Sequence, residues 1–317
     1  MKAILLRALS FCVLCLPAAI ANAQTGASAQ RDAPGASSAE IKLAPPPAIP
    51  EGAVPLNPEK TIYLDKTRNR LLLTTKVCLR EGVLEMFICP KQTKEHESVL
   101  SLAGKAQIVH AGLLALGAKS GHPAKFQPEY IPPTGDKIEI FVNWNDMDGK
   151  PHRMRAQEWV RHATFRYFEA PLASVPAGVK LGEGDDALRF DDVNHMLIFF
   201  GTMKPELKKT FLSYSNDEKY QKAIESLFTQ GQYKELEATF LFAGSLFQRR
   251  EDGTEFYLAE TGSLVCVANF GDATIDLNMQ STASNDAGLL FEPWTERIPP
   301  LRTDVLVELV PVHEPAK

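Results

Sequence analysis

Between residues 61 and 310 the apolar residues come in short stretches, each stopped by glycine, proline, asparagine or aspartate. Short strands set between turns pair antiparallel, so this spacing points to a β-rich domain. The strand candidates are Leu71 to Leu79, Val83 to Cys89, Ile138 to Trp144, Arg153 to Trp159, Thr239 to Gln248, Glu255 to Ala259, Ser263 to Asn269 and Thr303 to Val310. Gly104 to Gly117 has helical spacing instead: Val109, Leu113 and Leu116 share a face, and Gly117 suits a C-cap. A second helix is expected after Asn216, as N-cap, with Tyr220, Ala223, Ile224 and Leu227 on its apolar side. The expected fold is therefore α+β, an antiparallel β-rich domain with one principal helix and an inserted helical segment.

Ahead of this region stand two segments of different character. Residues 1–23 carry Lys2 and Arg7, an apolar stretch from Ala8 to Ile20, and Ala21-Asn22-Ala23, the pattern of a cleavable signal peptide. A membrane anchor would need about 20 apolar residues, and a lipoprotein reading meets bulky Phe11 and Leu14 before Cys12 and Cys15. Residues 24–60 are rich in Ala, Pro, Ser and Gly, including Pro45-Pro46-Pro47, and read as a disordered or extended tether. A partner-binding proline motif has less support there, because these prolines lack aromatic or basic sequence neighbours. The folded region is expected over 61–317, with an insertion at about 169–236. Export to the periplasm or the extracellular space follows from the leader, with no transmembrane segment after its removal.

A net charge of −5 and a pI near 5.9 leave no basic excess to neutralise phosphates, which argues against a nucleic-acid partner. With 44% hydrophobic and 23% charged residues, the chain can bury a substantial core.

Glu81-Gly82 suggests a tight hairpin turn. Leu79 would then face Leu84, Val77 would face Met86 and Thr75 would face Ile88. In that register Cys78 lies opposite Glu85 and Cys89 opposite Thr74. The two sulfurs are then about 13 Å apart along the strands, too far for a disulfide. Cys266 is expected as a small buried hydrophobe. Three scattered thiols do not supply an iron–sulfur cluster. Asp146-Met147-Asp148-Gly149 resembles a calcium loop superficially, but Trp144 and Arg155 occupy the end ligand positions, and a hairpin turn is expected instead.

Several motifs carry a family resemblance. Val77-Cys78-Leu79, Leu84 to Phe87, Cys89-Pro90, Lys94-Glu95-His96-Glu97-Ser98, His110 to Leu114 and Gly121-His122-Pro123 resemble the YdjY domain of exported bacterial proteins. So do Ala156 to Trp159, Phe242 to Ser245, Cys266 to Phe270 and Glu296 to Pro300. The resemblance covers most of Thr61 to Pro311, departs between about Glu169 and Leu236, and brings no activity with it.

Three functional readings follow. The first is a non-enzymatic binding protein for a small ligand or a protein, using Glu85, Lys94, Glu95, His96, Glu97, His110 and His122, with no cofactor. The second is a zinc-like site formed by Cys89, His96 and His110, with Glu85, Glu95, Glu97 or His122 as further donors. The third is a hydrolase with Cys89 or Ser98 as nucleophile and His96 or His110 as base. It lacks a G-x-S-x-G motif and an oxyanion-hole signal.

Overall fold

The structure is a computed structural model that describes residues 43–182, 187–281 and 291–312. The leader read at 1–23 and the tether residues 24–42 lie outside the described residues. The first described stretch runs along the domain: Ala44 is buried, and β1 (Val54–Pro55) pairs with β2 (Ile62–Asp65).

Next come β3 (Arg70–Val77), β4 (Met86–Pro90), β5 (Ser98–Leu102) and α1 (Ala106–Ala115). The α1 apolar face is the one its spacing predicts, with Val109 and Leu113 buried. Its N-terminus is capped from a distance by the Glu260 carboxylate, which accepts from the Ala106 and Gln107 amides. β6 (Lys137–Asn145) alternates strictly, sending Ile138, Ile140, Val142 and Trp144 inward. It forms the expected hairpin with β7 (Pro151–Arg155). Asp146 closes the turn, its carboxylate accepting from the Asp148 and Lys150 amides.

Beyond β8 (Val160–His162) lie β9 (Tyr167–Pro171), β10 (Arg189–Asp191), β11 (Met196–Phe200), α2 (Pro205–Leu212) and α3 (Glu218–Gln230). These last five elements form a compact unit, with the sheet ordered β10-β11-β9 and an apolar core of its own. Leu197, Phe199, Phe211, Tyr220, Ile224 and Leu227 fill that core. The N-cap of α3 is Asp217, one residue later than expected: its carboxylate accepts from the Lys219 and Tyr220 amides. The Tyr220 hydroxyl donates to the Phe211 carbonyl at 3.1 Å inside this core. Tyr220→Phe is expected to cost about 1 kcal/mol by leaving that carbonyl without its donor. Urea unfolding of the two proteins checks it, and equal midpoints would show the bond to be energetically idle.

The unit sits on a narrow neck. Gly201 N donates to Arg166 O, and a side chain at Gly231 would come within 2.9 Å of the Gly201 carbonyl. The chain leaves along β8 and returns beside it: His162 N donates to Lys234 O, and Leu236 N to Val160 O.

The chain closes with β12 (Phe240–Leu241), β13 (Phe247–Arg249), β14 (Glu255–Tyr257), β15 (Val265–Cys266), β16 (Asp276–Leu277), β17 (Phe291–Pro293) and β18 (Asp304–Val312). The main sheet runs β15-β4-β5-β3-β18-β6-β12-β16, and a bridge from Val265 to Ile275 brings its two ends together. The result is a near-closed barrel, antiparallel except for the β4–β5 pair and the closing bridge. Leu71, Leu73, Ile88, Leu100, Ile140, Val142, Trp159, Phe240 and Val307 are fully buried or nearly so in its core. Among the described residues no helix is long and apolar enough to cross a membrane.

The expected hairpin between β3 and β4 does not form. β3 is flanked by β18 and β5 and also pairs with β2, while β4 lies between β5 and β15. Residues 79–85 are held elsewhere: the Arg80 side chain donates to the Thr295 and Ile298 carbonyls, and Leu84 N to Phe291 O. Six residue pairs with β18, together with those to β5, outweigh the local turn preference of Glu81-Gly82.

Candidate functional site

β4 and β5 are parallel neighbours, yet the loop joining them is only residues 91–97. Parallel strands ordinarily need a crossover of about a dozen residues or more, so this loop is taut. Its own side chains hold it. The Glu95 carboxylate turns back to accept from the Gln92 and Thr93 amides, and the Thr93 hydroxyl donates to Pro90 O. Lys94 Nζ lies 2.9 Å from Glu85 and 3.3 Å from Glu97, over the Phe270 ring. Burial pushes the Lys94 pKa down, but Glu85 and Glu97 outweigh it and raise the value above the usual range. Gly262, at φ +144°, makes room for the lysine stem, since a Cβ there would fall 2.6 Å from it. His96 stands on the surface, 76% exposed, with Nε2 3.8 Å from Glu97.

The residues expected to act together are thus divided. Glu85, Lys94 and Glu97 meet in one ion-pair knot, with His96 at its rim. Glu95 is spent on the loop backbone. His110 lies on α1, where its Nδ1 shares a 3.0 Å hydrogen bond with the Tyr257 hydroxyl and its ring meets Phe242 and Phe247 edge-on. Desolvation holds its pKa below the ordinary value, which favours a neutral ring. Tyr257 donates in turn to Gly244 O. His122 is in a separate loop, bonded to Pro123 O through Nδ1 and to the Thr134 hydroxyl through its backbone.

The expected ligand set of Cys89, His96 and His110 is not assembled. Cys89 is fully buried, His96 points outward and His110 packs among aromatic rings. Among the described residues no group of three or more His, Cys, Asp and Glu side chains is placed to hold a metal ion. Ser98 is buried and donates to Leu100 O, so its hydroxyl is not directed at an imidazole.

The cysteines are arranged otherwise than the hairpin register implied. β5 separates the strands that carry Cys78 and Cys89, and Cys78, Cys89 and Cys266 are all free thiols. Cys78 Sγ also lies 3.0 Å from Ser98 O. The Cys78 thiol, together with the Ser98 hydroxyl, the Lys94 amide and the Thr93 hydroxyl, lowers the Cys89 pKa despite burial. The same pairing raises that of Cys78. Cys266, enclosed as expected, packs with Met86, Cys89 and Ala273.

A groove of ≈ 640 Å³ escaped sequence reasoning. Pro46, Pro47, Ala48 and Pro50 line one side, and Trp144, Asn145, His152, Arg153, Arg70 and Glu308 are among the residues lining the rest. Trp144 and His152 stack at 5.0 Å with an interplanar angle of 14°. Asn145 Nδ2 donates to two consecutive carbonyls, Pro45 O at 3.0 Å and Pro46 O at 3.3 Å. Glu308 accepts from Asn143 and Arg153 and pairs with Arg70. The prolines therefore have aromatic and basic neighbours after all, supplied by β6 and β7 a hundred residues later. An Asn-Trp-Asn end to β6 was the available signal, but sequence does not tell which segment it meets.

No curated protein and no solved structure matches the chain. A family match covers the first barrel strands, the 91–97 loop, α1 and the β6–β7 hairpin. The motifs Phe242 to Ser245, Cys266 to Phe270 and Glu296 to Pro300 lie beyond it, although Phe242 touches His110 and Phe270 lies under Lys94. Residues 58–170 match the family model of the YdjY domain.

Proposed function

We propose that this is an exported, non-enzymatic binding module whose groove beside Trp144 takes an extended proline-rich chain. One observation carries the reading: Asn145 donates to the carbonyls of both Pro45 and Pro46, next to the Trp144–His152 stack. An extended proline segment makes no internal hydrogen bonds, so its carbonyls are free to accept. It also loses little entropy on docking against an aromatic wall. The chain's own residues 45–50 hold the groove here and compete with an outside strand. The export part of the proposal rests on the charge and apolar pattern of residues 1–23.

The test is a titration of a peptide copying Leu43 to Gly52, followed by tryptophan fluorescence. The receptor is the chain with residues 45–50 replaced by Gly and Ser. Saturable binding is expected, and the unaltered chain should need far more peptide, because its own segment competes at an effective concentration of the order of millimolar. Asn145→Ala in the altered chain should weaken binding about tenfold, the worth of one to two hydrogen bonds. Absence of saturation, or equal affinity in Asn145→Ala, would remove this reading.

A further inference from the structure

One flank of α3 carries Lys219, Lys222, Ala223 and Ser226, spaced three and four apart beside the buried stripe of Tyr220, Ile224 and Leu227. This helix packs along β9, an edge strand of the small sheet. Near the C-terminal end of α3 the gap between them is bridged, because Gln230 Nε2 donates to Glu169 O at 3.0 Å and to Ser226 Oγ at 2.9 Å. Toward the N-terminal end the walls are built of short side chains, Ala170 and Ala173 from the β9 side and Ala223 and Ser226 from the helix. They leave a cleft of ≈ 540 Å³, within the range of about 300–1,000 Å³ that small-molecule sites occupy. Pro171, Leu172 and Met196 extend its apolar lining.

The rim is of the opposite character. Lys219 and Lys222 are exposed there, and neither has a carboxylate partner among the described residues. No Asp or Glu among the described residues lines the cleft. Acids close by in the sequence are engaged elsewhere: Asp217 accepts from the Lys219 and Tyr220 amides, Asp191 accepts from the Val193 and Asn194 amides, and Glu225 pairs with Lys208. Asn194 and His195 line the facing side, fixed to the sheet where the His195 carbonyl accepts from the Leu172 amide at 2.9 Å. Two unpaired ammonium groups beside an apolar floor suit a molecule divided the same way, with an anionic head and an apolar tail. A neutral apolar ligand would leave the lysines unanswered, and a bare anion would leave the floor in water.

We propose that the cleft between α3 and β9 binds a single-tailed amphiphilic carboxylate, with the tail along Leu172, Met196 and Ala223 and the carboxylate at Lys219 and Lys222. Lysine rather than arginine stands at the rim, so the head group is held as a point charge and not through a two-pronged fork. The tail supplies most of the affinity and the lysines set its direction. The cleft shares no residue with the proline groove, so the two proposals stand or fall separately.

The experiment titrates the full chain with octanoate by calorimetry, below the concentration at which octanoate forms micelles. 1-Octanol supplies the tail without the charge, and acetate the charge without the tail. Saturable binding of one octanoate per chain is expected, with octanol weaker and acetate without measurable binding. Shortening the tail to hexanoate should weaken binding about tenfold, as loss of two buried methylenes requires. The double variant Lys219→Gln with Lys222→Gln should lose about fivefold, the worth of two exposed ion pairs. Ala173→Phe, at an exposed position of the wall, should abolish saturable binding by filling the cleft. Circular dichroism confirms that both variants are folded. Absence of saturation, octanol binding as tightly as octanoate, or unchanged affinity in either variant would overturn the proposal.

Discussion

Raising the pH from 5 to 8 is expected to weaken the fold by about 3 kcal/mol through Asp276, by linkage to its carboxyl proton. The side chain is enclosed beneath β16. Oδ1 accepts from Asn269 Nδ2 at 2.9 Å and from the Leu277 amide at 2.8 Å, while Oδ2 is buried without a partner. Burial raises the pKa to about 7, and the Asn269 and Leu277 bonds offset that only in part. Between the ordinary value of 3.8 and this one, the folded protein holds a proton that the unfolded chain has released. Stability therefore falls as pH rises through that window and levels off above it. Asp65 and Glu308 act below this window, whereas the depressed His110 and His162 act within it and in the opposite direction, so the Asp276 share is read as the difference between wild type and variant. Urea midpoints at the two pH values, in the wild type and in Asp276→Asn, read the slope rather than the level. The variant should lose the downward contribution that Asp276 makes to the slope, and an unchanged slope would mean that Asp276 is ionised in the fold throughout.

Glu308→Ala should cost about 3 kcal/mol at pH 7, near the low end for breaking a buried ion pair. Its carboxylate on β18 collects Asn143 from β6, Arg153 from β7 and Arg70 from β3, tying the centre of the barrel sheet to the wall of the proline groove. The cost stays at the low end because Arg153 is 50% exposed and can rehydrate, whereas Arg70, at 16%, keeps its bond to Asp65. Burial pushes the Glu308 pKa up, and Arg153, Arg70 and Asn143 together pull it below the usual value. A depressed carboxyl stabilises above its unfolded pKa and loses that contribution as pH falls through the folded one. The gap between wild type and Glu308→Ala in urea should thus narrow toward pH 3. A gap of the same size at pH 3 and pH 7 would show that packing, not charge, is what the alanine removes.

Local signals were legible in the sequence and distant ones were not. The β6–β7 hairpin is written in residues 137–155 themselves, since the Asp146 carboxylate that closes its turn lies between the strands it joins. The face of α1 and the core side of α3 are likewise set by spacing along one helix. The turn at Glu81-Gly82 gave as good a local signal, and it was overruled by β5 and β18, which the sequence places far away. The site shows the same limit at the scale of single residues. Lys94 to Glu97 lie together in one loop, but their identities do not say that Glu95 folds back on the loop amides while His96 turns out to solvent. The groove was hidden for a related reason, because Pro45 and Asn145 belong to segments whose meeting depends on the closed sheet.

The neck beneath the small three-stranded unit has a bearing on how this architecture can vary. Because the outgoing and returning chains are hydrogen-bonded side by side at 160–162 and 234–236, everything between them is, to the barrel, a single oversized turn. The entropy of closing such a turn grows only as the logarithm of its length. The scaffold can thus carry an appendage of almost any size at this position and pay little for the difference, leaving the appendage free to diversify while the strands beneath it keep their register.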